Sequence, residues 1–549
     1  MALHGAGVAD LLGTHPVTAF GASHVWGLDR IVRITLGVEP LQVWTDRIGA
    51  PVGGAAPVLG WGPALLTLPV SRLADPVLAY AVAVLGAPGL AGAAAWAWLR
   101  GAGRASPWAA TAGAIVFATS TGMLNNLALG NVDKLSVWVY PAWLAFAAAA
   151  VEGRKWLVAL VGAALVALLA PLSEPYLGLF LPLFGVPVAA LALLDAPAGR
   201  RVWAFVRFGV LLGVTAAAML PAREWFGSHR DAGADALLFH PAVNRAADGP
   251  VADTRPWITL EGLVSPNVDI PADPESAFHV HYVGLVGLIA ALVLAALPGA
   301  GRRRLGFTVL VVGLLLVLGP RTTLPAALGF SPKQGYLLPL HFLEQLGYPT
   351  SYGSQYYRAL PIVSLGVGAL LAAGLTRRAG RRGAIVGVAV VFAAMLDTVG
   401  ITRAAWPRPL RPVPCREVLA AIRAAPGEGT LLNLNLRASQ ARSGEAMLLA
   451  TLHGRGIETV PRHADPHWEF SYRWLMDPAM PNGPGIAAWL KQRRIRFLLD
   501  APVGQPGPEA LSPAAVEAAL GPPTWRDATC AAWDLGPVNP APRRPTEPR

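Results

Sequence analysis

Charge is what this sequence has least of. Acidic and basic residues together fill 14% of its 549 positions, against about a quarter in soluble globular proteins. That excludes an ordinary soluble domain, and a hydrophobic fraction of 54% excludes intrinsic disorder as well. Two cysteines cannot build a disulfide scaffold. Lysine is scarce: only four of 44 basic residues, at 134, 155, 333 and 491, and the rest are arginine. There is no Walker loop, helical HExxH or CxxC, which argues against a nucleotide-driven pump. The start lacks the charged, apolar and small-residue regions of a signal peptide. An outer first segment with no span ahead of it raises the expectation of a further membrane helix preceding this sequence.

What is abundant is apolar sequence in long runs, with a mean hydropathy of +0.46. About 20 mostly apolar residues cross the hydrocarbon core as a helix. Ten runs qualify: 76–99, 107–123, 135–151, 156–172, 176–194, 206–222, 279–298, 305–319, 358–376 and 384–401. The shorter run 60–73 carries Pro63 and Pro69 and reads as an interfacial or re-entrant helix. The expected fold class is mainly α: a polytopic helical membrane protein of about ten spans.

The links between spans alternate in charge. Arg100, Arg104, Arg154, Lys155, Arg200, Arg201, Arg207, Arg302, Arg303, Arg304, Arg377, Arg378, Arg381 and Arg382 fall in five short links. The opposite short links, 124–134 and 172–175, hold only Lys134. Such a bias places the arginine-rich set in the cytoplasm. Most of the net charge of +11 is then topological, and no nucleic-acid partner is expected. Membrane lipids are the partners these arginines imply. The protein is expected in the cytoplasmic membrane, multi-pass, with four parts: an outer first loop (1–75), a transmembrane region (76–401), an extracytoplasmic α/β domain (402–536) and a disordered tail (537–549).

Within the α/β domain, 430–436 and 494–500 read as buried strands, 443–454 and 485–494 as helices, and 524–535 as a hairpin. Cys415 and Cys530 both lie there, either bridged or as two buried thiols.

Candidate chemistry gathers at the arginine-poor ends. The first segment holds His24 and two Asp-Arg pairs, Asp29-Arg30 and Asp46-Arg47, the first on an amphipathic helix with apolar positions 25, 28, 31 and 32. Attack on a phosphate-linked substrate needs a carboxylate to take the acceptor proton. It also needs a cation to stabilise the departing phosphate, for which the arginine fork is suited. The plainer reading, which composition alone favours, is a solvated interfacial helix with Asp29 bonded to Arg33 at i,i+4. Asp133 and Lys134 sit at a span end, and Glu174 reads as a loop end at the interface. Arg358, in SYGSQYYRALP (351–361), reads either as a snorkelling belt residue or as part of a pocket for a lipid phosphate or sugar. His279 and His281, with Asp269 or Asp273, offer a ligand set for a divalent metal, and no other cofactor is called for.

Several segments carry a resemblance: HVWGLDRI at 24–31, WTDRIGAPVGG at 44–54 and LALGNVDKLSVWVYPAW at 127–143, then HYVGLVGL at 281–288, YYRALPIVSLGVGALLAAGL at 356–375 and LLATLHGRG at 448–456. Together they resemble a bacterial polytopic family of the GT-C glycosyltransferase superfamily, similar to mannosyltransferases that use lipid-phosphate sugars. The resemblance implies an outer first loop with an essential acid, short helices lying on the membrane, and a polyprenyl-phosphate sugar as donor. Where such proteins carry acids ahead of the HVWG segment, this chain has Phe20, Gly21, Ala22 and Ser23. That leaves Asp29 and Asp46 as the catalytic acids, with His24, Arg30, Arg47, Asp133, Lys134 and Arg358 as substrate or phosphate ligands. The expected function is transfer of a sugar to an acceptor on the outer face. The alternative is a non-catalytic transporter or assembly factor for envelope glycans or lipids.

Overall fold

The computed structural model describes residues 14–16, 19–41, 44–45, 54–55, 60–73, 76–153, 155–229, 263–264, 282–297, 302–319, 321–322, 336–337, 339–346, 356–376, 378, 381–402, 410–412, 414–434, 448–453, 455, 486–492, 494–501 and 513–538. Asp46, Arg47, His279 and His281 lie outside them, as does the segment 537–549 apart from its first two residues.

The molecule is mostly helical. After strand β1 (Thr14–Pro16) come α1 (Ala19–Thr35), the two-residue strands β2 (Trp44–Thr45) and β3 (Gly54–Ala55), α2 (Trp61–Leu73), α3 (Pro76–Gly101), α4 (Pro107–Ala118) and α5 (Thr121–Leu129). Then follow α6 (Val139–Glu152), α7 (Trp156–Ser173), α8 (Pro175–Leu194), α9 (Arg201–His229), α10 (Leu285–Ala296) and α11 (Arg303–Leu318). The strands β4 (Arg321–Thr322) and β5 (Tyr336–Leu337) precede α12 (Pro339–Gln345), α13 (Leu360–Thr376) and α14 (Arg381–Thr402). Every one of the ten apolar runs therefore carries a helix. Among the described residues, six helices are long and apolar enough to cross a membrane, with shorter apolar ones at Pro107–Ala118, Leu285–Ala296 and Leu360–Thr376. The run 107–123 is not one helix: α4 stops at Ala118 and α5 starts after Ser120. Helix α2 has 13 residues, about 20 Å at 1.5 Å each, too short for a core of about 30 Å. It buries Gly62, Pro63, Ala64 and Thr67 and exposes Leu65, Leu66 and Leu73.

Helix α13 is the hub, buried from Leu360 to Leu375 and packed by α4, α10 and α11. Small residues allow this crowding, since lipid offers helices no hydrophobic drive to associate and close packing must supply it. A Cβ on Gly113 would lie 2.3 Å from the Gly368 carbonyl oxygen, so α4 and α13 touch backbone to backbone.

The arginine-rich links meet at one end of the bundle. Arg302 Nη1 donates to the Ala102 carbonyl at 2.9 Å and lies 3.8 Å from Glu152 and 3.5 Å from Asp195. These are the tails of α3, α6 and α8 and the head of α11. The junctions α5–α6 and α7–α8 and the head of α13 lie at the other end.

The segment after α14 opens with β6 (Leu410–Pro412), which pairs antiparallel with β1 and ties the first segment to the last. The α/β unit contains α15 (Arg416–Ala424), β7 (Thr430–Asn433), α16 (Ile486–Gln492), β8 (Ile495–Asp500), α17 (Pro513–Leu520), β9 (Trp525–Arg526) and β10 (Ala531–Asp534). Its sheet runs β7-β8-β10-β9, with only β7–β8 parallel. Alternate residues feed two cores: Leu431, Phe497, Leu499 and Ala532 face Val418 and Ile422, while Leu432, Leu498 and Trp533 face Leu490 and Val516. Both faces are covered, hence the continuous apolar strands. Cys415 and Cys530 form a disulfide with their Cα atoms 5.4 Å apart. In the helical turn 448–453, Leu448 belongs to the membrane-helix core and Leu449 to that of the α/β unit.

Candidate functional site

Local sequence explains how a carboxylate comes to stand between two spans. Proline disfavours a helical conformation in the residue before it, and Glu174 before Pro175 is extended (φ −160°, ψ 124°). The break ends α7, and proline at the first position starts α8. Glu174 caps that helix by accepting from the Tyr176 backbone N–H at 2.9 Å. A second break follows α5, where Gly130 takes the left-handed conformation (φ 69°) and Tyr80 Oη donates to its carbonyl at 2.7 Å. The turn 131–133 then leads into a 3-10 helix, Lys134–Trp138, with Asp133 and Lys134 at its head. A third short helix, Tyr356–Ala359, carries Arg358 to the head of α13.

These breaks converge. Arg358 Nη1 donates to Glu174 Oε1, and its guanidinium lies 4.1 Å from the Tyr176 ring centre. His24 Nε2, from α1, stands 3.3 Å from Asp133 Oδ1. The charges of Lys134 and Arg358 act on Asp133, and those of Arg358, Asp133 and Glu174 act on Lys134. Two acids, two bases and an imidazole thus form one buried cluster drawn from four parts of the chain. Glu174 is 3% exposed. Burial alone would raise the Asp133 carboxyl, but His24, Lys134 and Arg358 outweigh it and hold it below the usual carboxylate range. Burial raises the Glu174 carboxyl in spite of Arg358. Burial also lowers the His24 imidazole, more than Asp133 raises it. All three groups lie in links or in α1, outside the spans.

Hydroxyls surround the cluster. Ser136 Oγ and Tyr140 Oη are buried with no hydrogen-bond partner among the described residues, and the Glu174 charge reaches Tyr140. Ser173 Oγ accepts from the Gly62 N–H at 3.0 Å, and only glycine fits at 62, since a Cβ would lie 2.5 Å from that oxygen. Chemically, the set offers a cationic fork with an ammonium for a phosphate, a carboxylate of raised affinity for a proton, and hydroxyls for a polar ligand.

Of the candidates read from sequence, the structure brings together His24, Asp133, Lys134 and Arg358. It keeps Asp29 and Arg30 in another network. Five residues beyond His24 on a helix is about 140° round the axis, and there Arg33 Nε donates to Asp29 Oδ2 at 2.9 Å. Arg30 Nε lies 3.6 Å from Glu39 and its guanidinium 5.5 Å from the Trp26 ring centre. The expected i,i+4 pair is present, but the helix is not solvated: Asp29 is 8% and Arg30 1% exposed, beside Val25, Leu28, Ile31 and Val32, which are buried as the pattern required. Glu174, which the sequence suggests is a loop end at the interface, does stand in the link between α7 and α8, but it is buried there with Arg358, 184 positions away, as its partner. Among the described residues no group of three or more His, Cys, Asp or Glu is placed to hold a metal.

This arrangement of helices is similar to that in solved structures of an arabinofuranosyltransferase. The arabinofuranosyltransferase AftD from Mycobacteria is similar at a TM-score of 0.55 and 13% identity, over 96% of this chain and 40% of that one. A mutant structure of AftD gives 0.50 at 13% identity, over 92% and 36%. This chain therefore spans well under half of AftD. ArnT from Cupriavidus metallidurans, bound to undecaprenyl phosphate, aligns over 97% of this chain and 96% of its own at 12% identity, with a TM-score of only 0.41. No family model matches the sequence, and no curated protein is similar enough in sequence to match.

Proposed function

We propose that this chain is an integral membrane glycosyltransferase that moves a sugar from a polyprenyl-phosphate donor to an acceptor hydroxyl at the arginine-poor end of the bundle. The observation that carries this reading is the buried cluster of Asp133, Lys134, Glu174 and Arg358, with two carboxylates whose protonation is pushed in opposite directions. Such divergence is how one site supplies distinct acid–base roles. The likeness to an arabinofuranosyltransferase supports sugar transfer, and the apolar helices around the cluster suit an isoprenoid chain.

In this reading the donor phosphate draws Arg358 and Lys134 onto its oxygens, which frees Glu174. The acceptor oxygen attacks the anomeric carbon, the bond from that carbon to the phosphate oxygen breaks, and Glu174 takes the acceptor proton. The electron pair leaves with the polyprenyl phosphate, whose charge Arg358 and Lys134 stabilise. Asp133, ionised and paired to His24, orients Lys134. Asp46, beside Arg47 in the sequence between α1 and α2, is the competing base.

The arginine-rich links face the cytoplasm in this proposal, with ten spans and an extracytoplasmic α/β domain over 402–536. Pairing of β1 with β6 supports placing the segments before and after the helical region on one side, and the disulfide fits an oxidising compartment. Membranes holding the protein, given labelled polyprenyl-phosphate pentoses and hexoses, should yield a labelled acceptor product. Glu174→Gln and Asp133→Asn should each lower the rate per folded molecule about 100-fold or more, and Glu174→Gln should also lower the unfolding temperature, because it leaves Arg358 without its carboxylate. Wild-type transfer by the double variant would return the chain to the transporter or assembly-factor reading, and loss in Asp46→Asn alone would move the base to Asp46.

A further inference from the structure

At the arginine-rich end, opposite the cluster, a cavity of about 400 Å³ opens between the tails of α3, α6 and α8 and the head of α11. Its wall is apolar: Trp98, Leu144, Val188, Leu191 and Leu305. Its rim is Arg302, Arg303 and Arg304, with Asp195 as the one carboxylate of the lining. The three arginines are not equivalent. Arg302 is engaged by the Ala102 carbonyl, Glu152 and Asp195. Arg303 and Arg304 are exposed at the rim, and among the described residues neither has a carboxylate in ion-pair range. The rim thus keeps an excess of positive charge beside an apolar hollow large enough for part of a ligand chain.

We propose that this cavity is a binding site for an anionic glycerophospholipid of the adjoining leaflet, with the lipid phosphate on the Arg303 and Arg304 forks and acyl chain against the Trp98–Leu191 wall. Guanidinium groups bind phosphate in bidentate fashion, and basic pockets between membrane helices take anionic head groups for that reason. A zwitterionic lipid would bring its own cation to a rim already in cationic excess. Arg302, held by Glu152 and Asp195, fixes the helix ends and keeps the mouth open. The site does not depend on sugar transfer; it borrows only the orientation of the arginine-rich end.

Purified full-length protein in detergent, titrated with phosphatidylglycerol or phosphatidylcholine and read by native mass spectrometry, tests this. Phosphatidylglycerol should be retained about tenfold better, and Arg303→Gln with Arg304→Gln should remove that preference. Ala192→Trp, which fills the cavity from its half-buried wall, should lower retention while leaving the arginines. Arg104→Gln with Arg200→Gln removes equal charge from other links and should change nothing. Equal loss in that control would overturn the proposal, because general surface charge would then account for binding. So would equal retention of the two lipids, or binding of inorganic phosphate as tight as that of the lipid and insensitive to Ala192→Trp.

Discussion

At the scale of single residues, three buried carboxylates, Asp29, Asp133 and Glu174, are set apart by their surroundings. Asp29 faces Arg33 across one helical turn, so its role here is to hold α1 together. Asp29→Asn should cost about 1.5–3 kcal/mol, as for hydrogen bonds to charged groups, seen as a lower unfolding temperature with transfer per folded molecule unchanged within about twofold. Asp133 and Glu174 behave otherwise. Burial raises the Glu174 carboxyl, so a base at this position loses activity as pH falls through that raised value. The acid limb of the pH–rate profile should disappear in Glu174→Gln and persist in Asp29→Asn. Arg358→Ala should be the most destabilising change in the cluster, about 3–5 kcal/mol, because it strands a buried carboxylate. Arg358→Lys should fold better and still transfer slowly, since an ammonium lacks the fork. His24, Asp133, Lys134 and Arg358 were legible as polar residues in apolar surroundings. Glu174 was legible as a residue of the link between two spans, but not as a buried one, because its burial goes with a partner distant in sequence. The signal that could have found it is Glu-Pro between two apolar runs, which sets a carboxylate at a helix start.

Among elements, α13 depends most on size. Gly113 and Gly368 allow α4 and α13 to touch at the backbone, and Gly366 meets the Leu310 backbone of α11 just as closely. Gly368→Val should cost at least the upper part of the about 1–3 kcal/mol range for overpacking, read as a lower unfolding temperature in detergent. Gly209→Ala in α9, where a Cβ meets nothing within 4 Å, should be neutral or slightly stabilising. Apolar run length located each helix, but not the break in 107–123. There, two residues between α4 and α5 turn the chain so that Asn131 to Lys134 reach the cluster. Runs alone did not reveal α15 or α17 of the α/β unit either, since each is short and finds its helical stability in the sheet face it covers.

Over the whole molecule, β1 ahead of the helices is joined to β6 just after α14, and the α/β unit is closed by the Cys415–Cys530 bridge across 115 residues. Inside that unit Arg496 grips Asp534 with two bonds of 2.8 Å, and Arg455 and Arg496 both lie over the Phe497 ring. The bonds from Arg496 hold the Asp534 carboxyl below its usual value, against burial. Its folded value is depressed, so its stabilisation is complete above the unfolded value of about 3.9 and is lost as pH falls through the depressed one. Unfolding of this unit, followed by tryptophan fluorescence, should turn steeply pH-dependent below about pH 4, and Asp534→Asn should flatten that slope. The sequence by itself determined a helical membrane protein and where its charged links fall, because hydropathy and arginine spacing are local quantities that a bilayer reads directly. Only the tertiary structure decided which charges share a site, that Asp29 belongs to Arg33, that Glu174 belongs to Arg358, and that the two cysteines are bridged. Those are contacts between distant positions, and in a low-dielectric interior it is the partner that sets what a charged group can do.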